Sequence, residues 1–321
     1  MVGDLSDRIQ ISVENFTKSE IPPFPRKNML LEISNYCNHR CVFCANKKMT
    51  RKRGFMSLEF ADRILREAYA LGVREIGLYA TGEPLTNPKV SEYVRIAKSI
   101  GYSYIYLTTN GALLDEEKFI TLIQAGLDSI KFSINAGTSK TYEMIHGRDD
   151  FEKVIRIIEF AYRYRKETHC SYKIYASCVL TQPSISEKEI LVQRVGHIVD
   201  EVIFMDVLNQ GGMMYEINDG LILEKNRHKF GLIPCPTIFN AITVTCEGYL
   251  SACCVDFQNY LIVADLNHTS MMEAWTSELF QDLRRRHLEN RVEGTLCYNC
   301  IYNKNDPVSP ITKQYATMFC L

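Results

Sequence analysis

The chain has 321 residues and a formal net charge of −1, with 46% hydrophobic and 23% charged residues. This composition is typical of a globular protein and excludes bulk disorder. The balanced charge argues against a protein built mainly to bind nucleic acid or an anionic membrane. Twelve cysteines are unusual in a chain long enough to fold without disulfides. The cysteines are therefore the feature that calls for a chemical explanation.

The N-terminal segment MVGDLSDRIQIS is not a signal peptide, because it lacks a basic start followed by an apolar stretch. No segment reaches the roughly 18 consecutive apolar residues that cross a bilayer. We expect a cytoplasmic protein with no membrane partner, in a compartment that keeps thiols reduced. Clustered cysteines in that setting are more often metal ligands or catalytic groups than disulfides.

Residues 1–26, which include Pro22-Pro23-Phe24-Pro25, are predicted to form an extended lead-in. Residues 27–215 alternate apolar and amphipathic segments, which predicts parallel β–α units. The predicted strands are Met29–Ser34, Glu75–Ala80, Tyr104–Thr109, Ser129–Asn135, Tyr172–Leu180 and Val202–Leu208. The predicted helices are Leu58–Ala70, Lys89–Ser99, Glu116–Gln124, Phe151–Tyr164 and Glu187–Ile198. This α/β pattern fits an open sheet or a partial barrel, and either places functional groups at the C-terminal ends of the strands.

The alternation of apolar and amphipathic segments ends after Asn209. Residues 216–234 are predicted to be a connector, and residues 235–321 a small α+β domain. That domain contains an apolar segment, Ile238–Val244, a turn at Glu247-Gly248, and a helix over about Ser270–Leu288.

Cys37, Cys41 and Cys44 form a C-x3-C-x2-C motif directly after the first predicted strand. Zinc normally takes four protein ligands in a structural site. Three thiolates in one short loop indicate instead a [4Fe–4S] cluster with one iron that has no protein ligand. That open position allows a small molecule to bind the iron.

The segment CNHRCVFC, with Phe43 before the third cysteine, resembles the signature of the radical S-adenosylmethionine (SAM) superfamily. The segment TGEP, which contains Gly82 and Glu83, is similar to the family's GGEP-type segment, and Asn110 lies in a TNG segment that the family often shows. The resemblance implies a partial (β/α)6 TIM-like barrel. It also implies that Gly82 and Glu83 hold the methionyl amino group of SAM, that Ser133 contacts its ribose, and that Phe43 and Asn110 belong to the same site. Asn110 fits an ordinary turn equally well, and Ser133 an ordinary strand hydroxyl.

The second set of cysteines lies in the C-terminal domain. Cys235-x12-Gly248-x4-Cys253 resembles the opening of the SPASM and twitch extensions of radical SAM enzymes, and Cys297-x2-Cys300 would add two thiolates. These four cysteines fit one auxiliary [4Fe–4S] cluster. The pattern is shorter than a two-cluster SPASM pattern and resembles the twitch type of radical SAM aminocyclitol dehydrogenases. Two alternatives stay open: a four-cysteine zinc site, and Cys254 as the ligand in place of its neighbour.

The resemblance implies that an electron from the first cluster cleaves bound SAM. The resulting 5′-deoxyadenosyl radical removes a hydrogen atom from the substrate. An auxiliary cluster that accepts the substrate electron would make the net reaction a dehydrogenation, and we expect an oxidoreductase of this kind. A thiol that returns a hydrogen atom would make it an epimerisation, with Cys246, Cys254 and Cys320 as candidate donors. Cys170 and Cys178 are expected to be small buried apolar residues.

Only 36 residues precede Cys37, too few for a separate leader-binding domain. We therefore expect a small polar substrate of sugar or aminocyclitol type. The alternatives are an epimerase, a peptide-modifying enzyme and a non-catalytic iron–sulfur or zinc protein. The expected protein partner is an electron donor such as flavodoxin or ferredoxin, with no nucleic acid. Connector residues that could contact the substrate, or simply form a solvated loop, are Tyr215, Glu216 and Asp219, and two histidines show no pattern around them, His146 and His228.

Overall fold

The computed structural model describes residues 5–216, 220–223 and 231–316, and parallel strands form the centre of its fold. Six of these strands lie side by side in chain order: β1 (Met29–Leu31), β2 (Glu75–Gly77), β3 (Tyr104–Thr109), β4 (Ser129–Ser133), β5 (Lys173–Leu180) and β6 (Glu201–Asp206). Each pairs in parallel with the strand before it, as crossover connections require. The predicted partial (β/α)6 barrel is confirmed.

Helices follow the strands on the outside of this sheet. They are α2 (Leu58–Ala70), α3 (Val90–Ile100), α4 (Glu116–Gln124), α5 (Ser139–His146), α6 (Phe151–Thr168) and α7 (Lys188–Val195). Side-chain caps explain several starts, because Ser57, Asp115 and Thr138 each accept a hydrogen bond from a backbone N–H in the first turn. The sequence predicted all of them except α5, which is only eight residues long.

The C-terminal strands continue the barrel sheet beyond β1. They are β7 (Ile242–Val244), β8 (Tyr249–Ser251) and β9 (Ile262–Asp265). β7 pairs in parallel with β1, and the next two pairings are antiparallel. The surrounding helices are α8 (Thr237–Asn240), α9 (Met271–Trp275), α10 (Glu278–Leu288), α11 (Leu296–Tyr302) and α12 (Lys313–Ala316). One continuous apolar core contains Ile130 of the barrel together with Val244 and Trp275 of this region.

The N-terminal segment is not wholly extended, which corrects the expectation for residues 1–26. Helix α1 (Leu5–Glu14) lies at the N-terminal ends of the barrel strands. Its Arg8 forms an ion pair with Glu75 of β2, and the guanidinium lies 4.0 Å from the centre of the Tyr104 ring. The sequence of this short polar segment does not predict a helix by itself, and contacts with residues distant in the chain stabilise it.

The single helix predicted over Ser270–Leu288 is divided into α9 and α10. Ser277 has extended dihedral angles, φ −60° and ψ 147°, and its hydroxyl accepts a hydrogen bond from the N–H of Phe280. A serine in this conformation starts a new helix and ends the previous one. None of the helices in the described ranges is long and apolar enough to span a bilayer.

Candidate active site

The cysteine loop that follows β1 brings three thiols together. Burial raises the pKa of Cys37 to about 12 and also raises the pKa of Cys41 and Cys44, and Cys41 is affected electrostatically by both of the others. The Cys44 sulfur caps the 3-10 turn Ala45–Lys48 by accepting from the N–H of Asn46 at 3.5 Å. Buried thiols become thiolates when a metal supplies the compensating positive charge. This donor set therefore fits an iron–sulfur cluster.

The cysteine loop rests against the end of α5. The N–H groups of Arg40 and Val42 donate to the carbonyls of His146 and Ile145 at 3.1 and 2.9 Å. The His146 Nδ1 atom lies 3.6 Å from the Cys41 sulfur. The local sequence gave His146 no role, and no local signal could have done so, because 105 positions separate it from Cys41.

His146 belongs to a buried chain of ring contacts. Burial lowers its pKa to about 3, so the ring is neutral, and Nε2 lies 2.8 Å from the Ile134 carbonyl, to which it donates. The Nδ1 atom is then an acceptor, and it lies 3.0 Å from Nδ1 of His39. The other ring nitrogen of His39 contacts a carboxylate oxygen of Asp150 at 3.1 Å. These contacts fix the wall of the cluster site next to Cys41.

The TGEP segment packs directly on the chain that enters the cysteine loop. A Cβ atom on Gly82 would lie 2.7 Å from both Asn35 Cα and the Tyr36 carbonyl oxygen. Only glycine permits so close a backbone approach. The N–H of Glu83 donates to the Tyr36 carbonyl at 2.7 Å. The TGEP segment and the cysteine loop are therefore held as one unit.

The Glu83 carboxylate is buried and accepts three hydrogen bonds from the chain. One oxygen accepts from the Thr109 hydroxyl at 2.6 Å and the Leu85 N–H at 3.0 Å, and the other accepts from the Asn110 N–H at 2.7 Å. Burial raises the pKa of Glu83 to about 7. A carboxylate has about four acceptor positions, so one is left on the second oxygen. An ammonium group there would complete the set and offset the burial, which fits the amino group of SAM.

The other residues expected to bind SAM occupy three different settings. Asn110 links β3 to the cysteine loop, because its side-chain amide donates to Asn38 at 2.9 Å. Ser133 is half-buried at the C-terminal end of β4, in register with Ser177. Phe43 packs against an apolar cluster that includes Met214, two residues before the connector. Their contacts with SAM stay predictions.

The four expected auxiliary ligands form a second buried group. Cys235 precedes α8, Cys253 follows β8, and Cys297 and Cys300 lie three positions apart on α11, so that they share one face of that helix. Burial raises the pKa of Cys235, Cys297 and Cys300, and the charge of Cys235 acts on the other three thiols. The hydrogen bond that the Cys253 thiol donates to Cys254 and burial raise the pKa of Cys253, and the same bond lowers the pKa of Cys254. As in the barrel loop, these thiols fit a metal centre.

Cys254 connects this group to the inside of the barrel. Together with Tyr79 and Lys131 it lines a cavity of about 310 Å³, the lumen, which extends down to α1. The charge of Cys254 also raises the pKa of Tyr79 in the barrel and of Cys300 in the auxiliary group. Cys253, by contrast, packs against the apolar core. The two adjacent cysteines thus have different surroundings.

The remaining candidates lie elsewhere or outside the described residues. Cys246 follows β7, where its thiol donates to Glu247 at 3.4 Å, and it is not among the described residues that line the lumen. Tyr215 is 39% exposed, and Glu216 accepts from the Lys48 ammonium at 3.0 Å. Candidates outside the described residues are Asp219, His228 and Cys320.

A buried ionic network, which the sequence did not reveal, connects the two cysteine regions. Arg51, just after the cysteine loop, forms ion pairs with Glu32 at the end of β1 and Glu247 in the β7–β8 turn. The Thr81 hydroxyl of the TGEP segment donates to Glu32. Because the guanidinium already pairs with both carboxylates, we read this acidic pair as a structural link rather than a cation site.

Comparison with known families agrees with this architecture. Residues 31–178 match the model of the Radical SAM superfamily, so the barrel is a radical SAM domain. Residues 235–301 match the model of the SPASM iron–sulfur cluster-binding domain. The cofactors of such a chain are [4Fe–4S] clusters and SAM, and the donor sets above fit them.

Two curated relatives match this chain over less than half of its length. The probable GTP 3′,8-cyclase of Methanothermobacter thermautotrophicus is 36% identical over 130 residues, which are 40% of this chain and 42% of the relative. The PqqA peptide cyclase of Gluconobacter oxydans is 33% identical over 126 residues, which are 39% of this chain and 35% of the relative. The chain therefore spans about two fifths of the length of these relatives.

Two solved structures share most of the fold. BtrN in complex with AdoMet and 2-DOIA has a TM-score of 0.58 and 17% identity, over 90% of this chain and 98% of that one. Streptococcus suis SuiB bound to the precursor peptide SuiA has a TM-score of 0.65 and 16% identity, over 82% of this chain and 67% of that one. At such identities the likeness shows the fold alone.

Proposed function

We propose that this chain is a radical SAM oxidoreductase that dehydrogenates a small polar substrate and passes the substrate electron to an auxiliary [4Fe–4S] cluster. The bound cofactors supply the one-electron chemistry that generates a 5′-deoxyadenosyl radical. The protein supplies ligands, orientation and protection from water. BtrN, whose structure holds AdoMet and 2-DOIA, supports a small molecule as the substrate.

Three parts of the barrel would prepare the reaction. Cys37, Cys41 and Cys44 hold the first cluster and leave one iron open for SAM. The free acceptor position of Glu83 receives the methionyl ammonium, a charge-assisted hydrogen bond. Ser133 faces the ribose from the end of β4.

The observation that carries the proposal is the position of Cys254. Cys254 lines the lumen, and its charge raises the pKa of Cys300 in the auxiliary cysteine group. A substrate in the lumen would therefore lie next to the auxiliary cluster, close enough to release an electron to it. Cys253 is the proposed fourth ligand, with Cys235, Cys297 and Cys300, because its place in the core fits a structural role.

The same observation favours an epimerase as the second candidate. A Cys254 thiol that faces the lumen could return a hydrogen atom to the substrate radical. Anaerobic reconstitution in deuterated solvent separates the two reactions. A product that has lost two electrons and carries no stable deuterium supports the dehydrogenase, whereas an isomeric product with one deuterium supports the epimerase. Failure to form 5′-deoxyadenosine from SAM and reductant would reject both.

The peptide alternative and the cellular setting belong to the same proposal. A peptide substrate is supported by SuiB, whose structure contains its precursor peptide, and would appear as turnover only with a peptide. Eleven described cysteines are free thiols, which fits the reducing cytoplasm. A flavodoxin or ferredoxin would then supply the electrons, and reduction of the cluster by either protein tests this.

A further inference from the structure

One charged side chain faces the lumen without a counter-ion. Lys131 lies in the middle of β4 on the face that lines the cavity. Within the described residues its ammonium has no ion pair and no hydrogen bond, and it lies 6.0 Å from the centre of the Tyr79 ring. Burial lowers the pKa of Lys131 to about 8, so the group is still largely protonated near neutral pH. Lys131 is half-buried, and a cation removed from much of the solvent without a partner is costly unless a ligand supplies the opposite charge.

The side chains around Lys131 offer neutral hydrogen-bond donors and no carboxylate. In the sheet register Lys131 lies between Thr108 of β3 and Tyr175 of β5. Burial raises the pKa of Tyr79 to about 12 and also raises the pKa of Tyr175, so both phenols stay neutral and can donate. Among the described residues that line the lumen there is no carboxylate. The other cation, Arg8, already pairs with Glu75.

The position of Lys131 is also right for a substrate. It precedes Ser133 by two residues on the same face of β4, which is roughly 7 Å along the strand. Ser133 marks the expected SAM ribose, so Lys131 lies one layer deeper in the barrel. Cys254 closes the same cavity on the side of the auxiliary cysteines. A ligand on the Lys131 ammonium would therefore lie between SAM and the auxiliary group.

We infer that Lys131 binds an anionic group of the substrate, so that the substrate is a small polyhydroxylated acid or phosphate ester rather than an amine-bearing cyclitol. This inference rests on the proposed function, since it assumes that the lumen is the substrate site. The ammonium attracts a carboxylate or phosphate and repels a protonated amine in the same cavity. The phenols and hydroxyls around it bind the neutral hydroxyl groups.

The test is equilibrium binding to the reconstituted holoenzyme with SAM and without reductant, so that no turnover occurs. The probes are glucuronate, glucose 6-phosphate, glucose and glucosamine, which share a hexose ring and differ in charge. We expect at least one of the two anions to bind roughly 10-fold or more tightly than glucose, and glucosamine to bind most weakly. The comparison of glucuronate with glucose 6-phosphate distinguishes a carboxylate from a phosphate.

Variants of Lys131 test whether its ammonium causes the preference for anions. Lys131→Met should abolish the preference for anions, and Lys131→Arg should restore it; iron content and circular dichroism check that both variants are folded. Lys140→Met, the same change at an exposed position of α5, should bind like the parent. Equal affinity for charged and neutral hexoses, no binding of either anion, or a preference that survives Lys131→Met would overturn the inference. Formation of 5′-deoxyadenosine with reductant is measured separately, so a chain that cleaves SAM without any anion preference contradicts only this inference.

Discussion

The barrel cysteine loop and the auxiliary cysteine group use the same side chain in opposite ways. The barrel loop supplies three thiols within eight residues, and its neighbours Gly82, Glu83 and His146 come from other parts of the barrel. The auxiliary group collects four thiols from three separate segments, two of them on α11. A loop with three ligands leaves one iron accessible, whereas four ligands close the cluster. In the proposed function, this difference would separate a site for SAM chemistry from a site for electron transfer.

The largest expected effect comes from the cysteines themselves. Replacing Cys37, Cys41 or Cys44 with Ala should reduce SAM cleavage to background, because a cluster with two protein ligands is poorly held. Replacing Cys297 or Cys300 should leave some uncoupled SAM cleavage and stop substrate turnover. Quantification of 5′-deoxyadenosine beside product measures both. Cys170→Ala is the matched control, since this half-buried cysteine lies in neither group. Complete loss of SAM cleavage in the Cys297 variant with the barrel cluster intact would refute this division.

The next effect concerns the link between the two regions. Arg51→Met would leave the carboxylates of the buried Glu32 and the half-buried Glu247 without a counter-ion, which should cost about 3–5 kcal/mol of unfolding free energy. Although burial raises the pKa of Glu247, the hydrogen bond and charge of Arg51 hold it below its usual value. The stabilisation from that pair is therefore present at neutral pH and is lost as the pH falls below about 4.5.

Denaturant titration of Arg51→Met at pH 7 measures this cost. The control is Arg66→Met, which removes an exposed arginine of α2 and should leave the stability close to that of the parent. Similar stability of the two variants would contradict the role of the network.

His146 offers a smaller test on the barrel side alone. His146→Asn removes the ring that stacks on Tyr142 at 3.9 Å and contacts the Cys41 sulfur. Residues that orient a metal ligand typically change metal affinity by about 10- to 100-fold. We expect faster loss of the barrel cluster to a chelator, followed by visible absorbance, and no change at the auxiliary cluster. His197→Asn, an exposed histidine, serves as the control. Equal rates for both variants would show that His146 does not support the cluster.

The sequence was sufficient where the signal is local. The bounds of α2 and α4 agree with the prediction because Ser57 and Asp115 are recognisable caps, and the cysteine sets are visible from their spacing. The sequence did not predict contacts between positions far apart in the chain. Arg51 meets Glu247 across 196 positions, and α1 is held against the barrel by Glu75, which is 67 positions from Arg8. The sequence likewise did not show that Lys131 faces the lumen, because this position depends on β3, β4 and β5 lying side by side.

The last expected effect, similar in size to that of His146→Asn, concerns how the barrel site recognises SAM, a task that the proposed function gives to the barrel alone. Glu83→Gln removes the negative charge proposed to meet the methionyl ammonium, and one of the three chain donors loses its acceptor. We expect the Kd of SAM to rise about 10- to 100-fold. Because burial raises the pKa of Glu83 to about 7, the carboxylate is protonated below that pH and loses its attraction for the ammonium. SAM affinity of the parent should therefore fall between pH 8 and pH 6.

In Glu83→Gln the same pH range should have little effect, since an amide does not titrate. Equilibrium binding of SAM to the reconstituted protein without reductant measures both slopes. Glu117→Gln, an exposed position on α4, should keep the affinity and the slope of the parent. A parent whose SAM affinity does not change with pH, or a Glu83→Gln variant with the same slope as the parent, would place the ammonium away from Glu83. The barrel site would then hold SAM through the open iron and the strand ends alone.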